Sequence, residues 1–123
     1  MMRLTQTVAA LALTAGTAAA DYSLTILHTN DFHARFEPIS KYDSGCGSED
    51  NAEGKCFGGS ARLVTAIADA KARSNNSILV DGGDQFQGTL FYTYYKGALA
   101  AEMMNKVGYD AMTVGNHEFD DGP

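Results

Sequence analysis

Three short apolar runs, each ending abruptly in polar groups, organise this chain. Tyr22 to Thr29 is β-branched and apolar and predicts a strand buried on at least one face. It stops at Asn30-Asp31-Phe32-His33. Ser77 to Val80 is a second run, broken by Asp81-Gly82-Gly83-Asp84. Ala111 to Val114 is a third, followed by Gly115-Asn116-His117-Glu118-Phe119-Asp120-Asp121. Between the runs the period changes. Leu63, Val64, Ile67 and Ala68 recur at helical spacing after the break at Gly58-Gly59-Ser60, and Ser74-Asn75-Asn76 ends that helix. Leu90 to Val107 predicts a second helix, interrupted at Gly97 and closed by Gly108-Tyr109-Asp110, with Phe91, Tyr92, Tyr94 and Tyr95 as packing aromatics. Ala34 to Phe57 holds no sustained period and reads as a long loop.

Strand, helix, strand, helix, strand predicts an α/β fold: a parallel sheet with right-handed crossovers, which sets all three strand C-termini along one edge. Residues far apart in sequence then meet on one rim. Asp31 and His33 follow the first strand, Asp84 the second, and Asn116 and His117 the third.

Composition adds the compartment. The 123 residues, 45% hydrophobic and 20% charged, suit one domain at most. Residues 1–20 read as a cleaved export signal: a basic head at Arg3, an uncharged run from Val8 to Ala20, and small side chains before the expected cleavage after Ala20. The run is too short to span a bilayer comfortably, and no Cys follows it as in a lipoprotein. The expected mature part is therefore 21–123, and its expected location is periplasmic or extracellular. Cys46 and Cys56, the only two cysteines, fit an oxidising compartment and predict a disulfide that closes a polar loop. In the chain-entropy model such a closure contributes roughly 2–3 kcal/mol. Asn75-Asn76-Ser77 is a glycosylation sequon, meaningful only in a eukaryotic secretory pathway.

The net charge of −6 becomes −7 once Arg3 is removed with the signal. An acidic surface disfavours nucleic acid, but it leaves phosphate chemistry open where a bound metal reverses the local sign. The rim residues suit such a metal. Carboxylate, amide and imidazole donors select Zn, Mn, Co or Fe over a thiol-loving ion. Asp31 and His33, with one residue between them, fall on one side of an extended segment. Asp84 can bridge two ions, and Asn116 supplies a neutral ligand. Two divalent ions about 3.5–4 Å apart polarise a phosphoryl oxygen and generate a nucleophile at neutral pH. His117 then stays free, and Asp120, three residues on, shares its face if a helical turn begins there. A carboxylate beside an imidazole fixes its tautomer and suits a proton donor at a developing phosphorane.

Singly, each piece is weak. Asp and His at that spacing recur by accident, Gly-Gly-Asp is usually a turn, and a strand histidine such as His28 is more often a satisfied core residue than a ligand. Glu118 and Asp121 read as structural or solvated, and Asp81 and Asp110 as caps. Three polar bursts after three consecutive strands are what overturn the bland reading.

At these residues the chain resembles a known family. Leu27-His28-Thr29-Asn30-Asp31-Phe32-His33, Asp81-Gly82-Gly83-Asp84-Gln85-Phe86-Gln87-Gly88 and Gly115-Asn116-His117-Glu118-Phe119-Asp120 are similar to the opening blocks of the 5′-nucleotidases. These enzymes are calcineurin-like metallophosphoesterases. Gly58 to Leu63 and Tyr95 to Ala98 are similar too, as is the placing of Cys46 and Cys56. The resemblance implies the N-terminal part of a metallophosphoesterase α/β sandwich. It implies a two-metal hydrolase of nucleoside 5′-monophosphates, with Zn, Mn or Co as the ions. Asp31 and His33 would hold the first metal, Asp84 would bridge, and Asn116 would hold the second. His117, paired with Asp120, would act at the transition state or leaving group. It also implies further His ligands and a C-terminal domain that holds the base, which these residues do not supply; the histidines present are His28, His33 and His117. The expectation is an inactive piece of a longer enzyme, marginal or aggregation-prone by itself, with substrate-binding residues unassigned and membrane anchoring not visible. A UDP-sugar hydrolase, an apyrase or a 2′,3′-cyclic phosphodiesterase would share this core. A non-catalytic exported binding module is the alternative from another class.

Overall fold

The structure is a computed structural model that describes residues 21–123; the signal expected over residues 1–20 lies outside the described residues. Its frame is a parallel sheet of β1 (Thr25–Thr29), β2 (Ser77–Asp81) and β3 (Ala111–Met112), in that spatial order. Helix α2 (Ser60–Ala72) connects β1 to β2, and α3 (Leu90–Val107) connects β2 to β3. A short α1 (Ser48–Ala52) sits inside the segment expected to be a loop, which its sequence does not announce because it has no apolar face and no buried residue.

Strands β1 and β3 are shorter than the apolar runs suggest, since Tyr22 to Leu24 and Thr113 to Val114 outrun their partners on β2. Pairing still persists beyond β3, where the Thr113 N–H donates to the Asp81 carbonyl at 3.0 Å. Asp110, expected to cap α3, instead accepts the Leu79 N–H on its side chain at 2.7 Å and extends the β2 edge. The helix is closed by Gly108, at φ 79° and ψ 53°. That left-handed conformation carries a steric cost for any residue with a Cβ.

Register decides which side of each strand is covered. Leu27 pairs with Leu79 and Thr29 with Asp81, and Leu79 and Asp81 are both buried. Leu79 is fully enclosed, and Ile67 of α2, Tyr92 and Ala100 of α3, and Ala34 and Cys56 are the other buried apolar residues among those described. The alternate positions Ile26 and His28 face out, and Ile26 is 60% exposed. His28 is therefore not a core residue as expected. It lies on an open sheet face, whereas parallel sheets are normally covered on both faces.

Helix α3 is broken one residue before the expected point. Lys96 takes φ 51° and ψ −145° inside the helix, and Gly97 follows. A Cβ on Gly97 would lie 2.7 Å from the Phe86 ring, so the glycine is needed for that ring to pack. Cys46 and Cys56 form a disulfide with Cα atoms 5.9 Å apart.

Candidate functional site

The rim is built by extending the strand pairing into the loops. Past β1, the Asp31 N–H donates to the Gly83 carbonyl (3.0 Å), the His33 N–H to the Asp84 carbonyl (3.1 Å) and the Ala34 N–H to the Gln85 carbonyl (3.0 Å). The first loop is thus laced to the second. Asp31, His33 and Asp84 all sit in the left-handed region, at φ 54°, 50° and 58°. Non-glycine residues take that region rarely, with Asp and His among the more tolerant. The first pair does not lie along an extended segment, as alternation had suggested. The two side chains meet through the left-handed turn instead, with Asp31 Oδ1 3.5 Å from His33 Nε2.

The third loop approaches through glycines. Cβ atoms built on Gly83 and Gly115 would lie 2.3 Å from the Gly115 nitrogen and 2.2 Å from Asp84 Oδ1, respectively. Only bare backbone fits at that contact. The His117 N–H then donates to Asp84 Oδ1 at 2.9 Å.

Three donor side chains from three loops converge. His33, Asp84 and His117 each offer a ligand atom within 4.8 Å of the others, and the two imidazoles stand edge to face with centroids 5.2 Å apart. Both rings are oriented from behind. His33 Nδ1 lies 2.8 Å from the Phe86 carbonyl, and His117 Nδ1 lies 2.7 Å from Asp120 Oδ2. A carbonyl or carboxylate can only accept, so each Nδ1 carries the hydrogen and each Nε2 is left for the site. Metal-ligating imidazoles are held in this way. The donor set fits a divalent ion on its own chemistry.

The turn expected after Asn116 is a 3-10 turn over His117–Phe119, and it brings His117 and Asp120 onto one face. Asn116 stands at the head of that turn, exposed and adjacent to His117. Its hydrogen bond to Asp120 raises the His117 pKa above 6.5, with burial opposing and the Asp120, Asp84 and Glu118 charges adding to the rise. Asp120 is held below 3.8 by His117 and then by the Gln87 amide, which also bonds it. The Asn30 amide, foremost, and His33 hold Asp31 below its usual value.

Sequence reasoning undervalued several supports. Glu118 accepts four backbone N–H groups from two loops. Asp81 is 3% exposed and accepts from the Thr29 hydroxyl, the Gly83 N–H and the Gln85 amide, which ties the base of the rim to the core. Asp121 accepts from the Tyr92 hydroxyl at 2.7 Å and pairs with Lys96 at the α3 break. Gln87 and Lys96 lie inside or beside the quoted sequence blocks, but nothing in their spacing identifies their partners.

A cluster of imidazole and carboxylate donors at the strand ends of an α/β sheet suits a metallophosphoesterase-type class, and residues 24–123 match the model of the calcineurin-like phosphoesterase family, to which the chain belongs. Among its relatives are nucleotidases. It is 50% identical over 105 residues to human 5′-nucleotidase, covering 85% of this chain and 18% of that protein. It is 47% identical over 105 residues to the snake venom 5′-nucleotidase of Gloydius brevicauda, covering 85% of this chain and 17% of that one. Among solved structures, the 5′-nucleotidase precursor of Thermus thermophilus superposes with a TM-score of 0.66 at 41% identity, over 81% of this chain and 18% of that chain. The chain thus spans less than a fifth of the length of these relatives. The family and the donor set point to divalent metals.

Proposed function

We propose that residues 21–123 form the N-terminal part of the catalytic domain of an exported phosphomonoesterase. Its substrate in this reading is a nucleoside 5′-monophosphate, and residues 1–20 are its export signal. The observation that carries the reading is the convergence of Asp31, His33, Asp84 and His117 from three loops, with both imidazoles tied back through Nδ1. Relatives named 5′-nucleotidase at about 50% identity supply the substrate class.

Asp31 and His33 would hold the first ion, Asp84 would bridge, and Asn116 would offer its side-chain oxygen to the second. Zn, Mn or Co matches these donors. Bound together, such ions neutralise phosphoryl charge and provide a nucleophile at neutral pH. In this reading His117, although it offers one of the three grouped donor atoms, stays off the ions because Asp31 beside His33 takes the place in the first-ion set. Asp120 holds its Nδ1–H, which leaves Nε2 to face the phosphate or hold a proton for the leaving 5′-oxygen. The Gln87 amide donates to the same Asp120 oxygen, Oδ2, and steadies the pair.

Donor counting supports the need for further chain. Asp31, His33 and Asp84 would give the first ion three protein ligands, but the second would have only Asp84 and Asn116, and a catalytic zinc site normally uses three. We therefore propose that these 123 residues bind one ion well and do not turn over, and that the base is held by residues further along a longer protein. Purified chain incubated with AMP and Mn²⁺, Zn²⁺ or Co²⁺ is expected to release no phosphate above a chain-free control. Joined to the additional length that its relatives span, it is expected to hydrolyse AMP, with His117→Ala lowering turnover about 10²–10⁴-fold while metal is retained. Robust AMP hydrolysis by the short chain would refute the incompleteness. Unchanged turnover in His117→Ala would refute the assigned role, and metal binding without any turnover in the longer protein would favour a binding module.

A further inference from the structure

Glu118 is the one carboxylate of the Gly115 to Asp121 segment that faces neither the donor cluster nor an outlying cation. It is half-buried, and its two oxygens are fully engaged. Oε2 accepts the Asp84 N–H at 2.8 Å and the Gly115 N–H at 2.7 Å, while Oε1 accepts the Gln85 N–H at 2.6 Å and the Phe86 N–H at 3.2 Å. We propose that Glu118 is a positioning residue for the metal centre, whose carboxylate clamps the second rim loop to the third and so sets the place of Asp84. The inference rests on the metal-centre reading above.

The geometry gives the clamp its reach. Asp84 and Gln85 turn their N–H groups to Glu118, while their carbonyls receive the His33 and Ala34 N–H groups of the first loop. One carboxylate therefore holds the peptide units on which the His33 loop is laced. Phe86, also held by Glu118, is the residue whose carbonyl orients the His33 ring. Asp84 itself is at φ 58°, a conformation that a side chain normally resists, so something outside the residue must hold it there.

A carboxylate is the side chain suited to this duty. Ionised, it accepts only, with room for about four hydrogen bonds on two oxygens. An amide cannot replace it. In Glu118→Gln one oxygen becomes an NH₂ group, and whichever way the amide turns, two backbone N–H groups face a donor. Groups that orient metal ligands typically change metal affinity about 10–100-fold when removed.

The test is a Mn²⁺ titration of the purified chain by calorimetry, with a Co²⁺ visible spectrum as a report on ligand geometry. Glu118→Gln is expected to bind Mn²⁺ about 10–100-fold more weakly than the unmodified chain and to give a changed Co²⁺ spectrum. Ile67→Val, which loosens the core away from the rim, is expected to keep both affinity and spectrum. Equal affinity and spectrum in Glu118→Gln would overturn the clamp and leave the metal centre standing. An equal loss in Ile67→Val would also overturn it, by making the effect one of general stability. Failure of the unmodified chain to bind Mn²⁺ or Co²⁺ would overturn the metal centre itself, and the inference with it. If Glu118→Gln does not fold, hydrogen exchange on the unmodified chain decides. The Asp84, Gln85 and Gly115 amides are expected to be protected although they lie outside regular structure, and exchange at open-loop rates would overturn the proposal.

Discussion

Replacing Gly115 by Ala tests whether the close approach of two loops builds the rim. Gly115 is not in the left-handed region, so an alanine there meets a problem of space rather than backbone strain. The added Cβ would lie 2.2 Å from Asp84 Oδ1, 2.5 Å from the Asp84 nitrogen and 2.7 Å from Asp84 Cγ. Reaching ordinary contact requires the loops to part by about 1 Å. That opening stretches the two short bonds that meet at Glu118 Oε2, now 2.7 and 2.8 Å, past useful length. Overpacking of this kind costs about 1–3 kcal/mol. Hydrogen bonds to a charged acceptor add about 1.5–3 kcal/mol each when buried, and less here because Glu118 keeps some solvent access. We expect a total of about 2–4 kcal/mol, or a fall in Tm of roughly 10–20 °C for a domain of this size. Thermal melting by circular dichroism measures it. Gly47→Ala is the control, since Gly47 has φ −67° and nothing within 4 Å of its Cβ position, and it should stay within about 0.5 kcal/mol. A Gly115→Ala chain that melts within about 2 °C of the unmodified chain would show that the loops are not in essential contact. The same strain should not add fully to that of Glu118→Gln, because both act on one clamp.

Two further outcomes follow from groups away from the donor cluster. Tyr92 and Lys96 hold Asp121 below its ordinary value of 3.8, so its contribution to stability is complete above that value and is lost as pH falls through the depressed one. The same Asp121 bond pushes Tyr92 up to about 12, and that contribution holds below 10.0 and fades as pH rises toward 12. The melting gap between the unmodified chain and Asp121→Asn should therefore be steady from about pH 5 to 9 and narrow in strong acid; a gap as wide at about pH 2 as at pH 7 would contradict the assignment. The Cys46–Cys56 bridge closes a loop with a sequence separation of 10, and its removal in Cys46→Ser with Cys56→Ser should cost about 2–3 kcal/mol. Metal affinity should be unchanged, because the hydrogen bonds lacing the rim draw on no residue of that loop; loss of Mn²⁺ binding with the fold intact would contradict this.

Much of the architecture was legible because it rests on local pattern. Apolar runs of β-branched residues marked all three strands, and helical spacing with Gly punctuation marked α2 and α3. Strand ends were overrun because the pattern continues where the neighbouring strand does not. His28 was misplaced for a related reason: alternation assigns two faces to a strand, but only the packed helices decide which one is covered. The break in α3 was readable to within one residue from Gly97, although the strained φ falls on Lys96.

The sequence by itself determined which side chains reach the rim. Each donor follows an apolar run, and parallel connections bring those ends together whatever the details of packing. Tertiary structure alone decided how the donors are aimed. Asp31, His33 and Asp84 depend on left-handed backbone held by bonds between loops that lie far apart in the chain. The role of Glu118 depends on a contact between glycines in different loops. Propensity and periodicity describe neighbours along the chain, and the forces that aim this site act between residues that become neighbours only on folding.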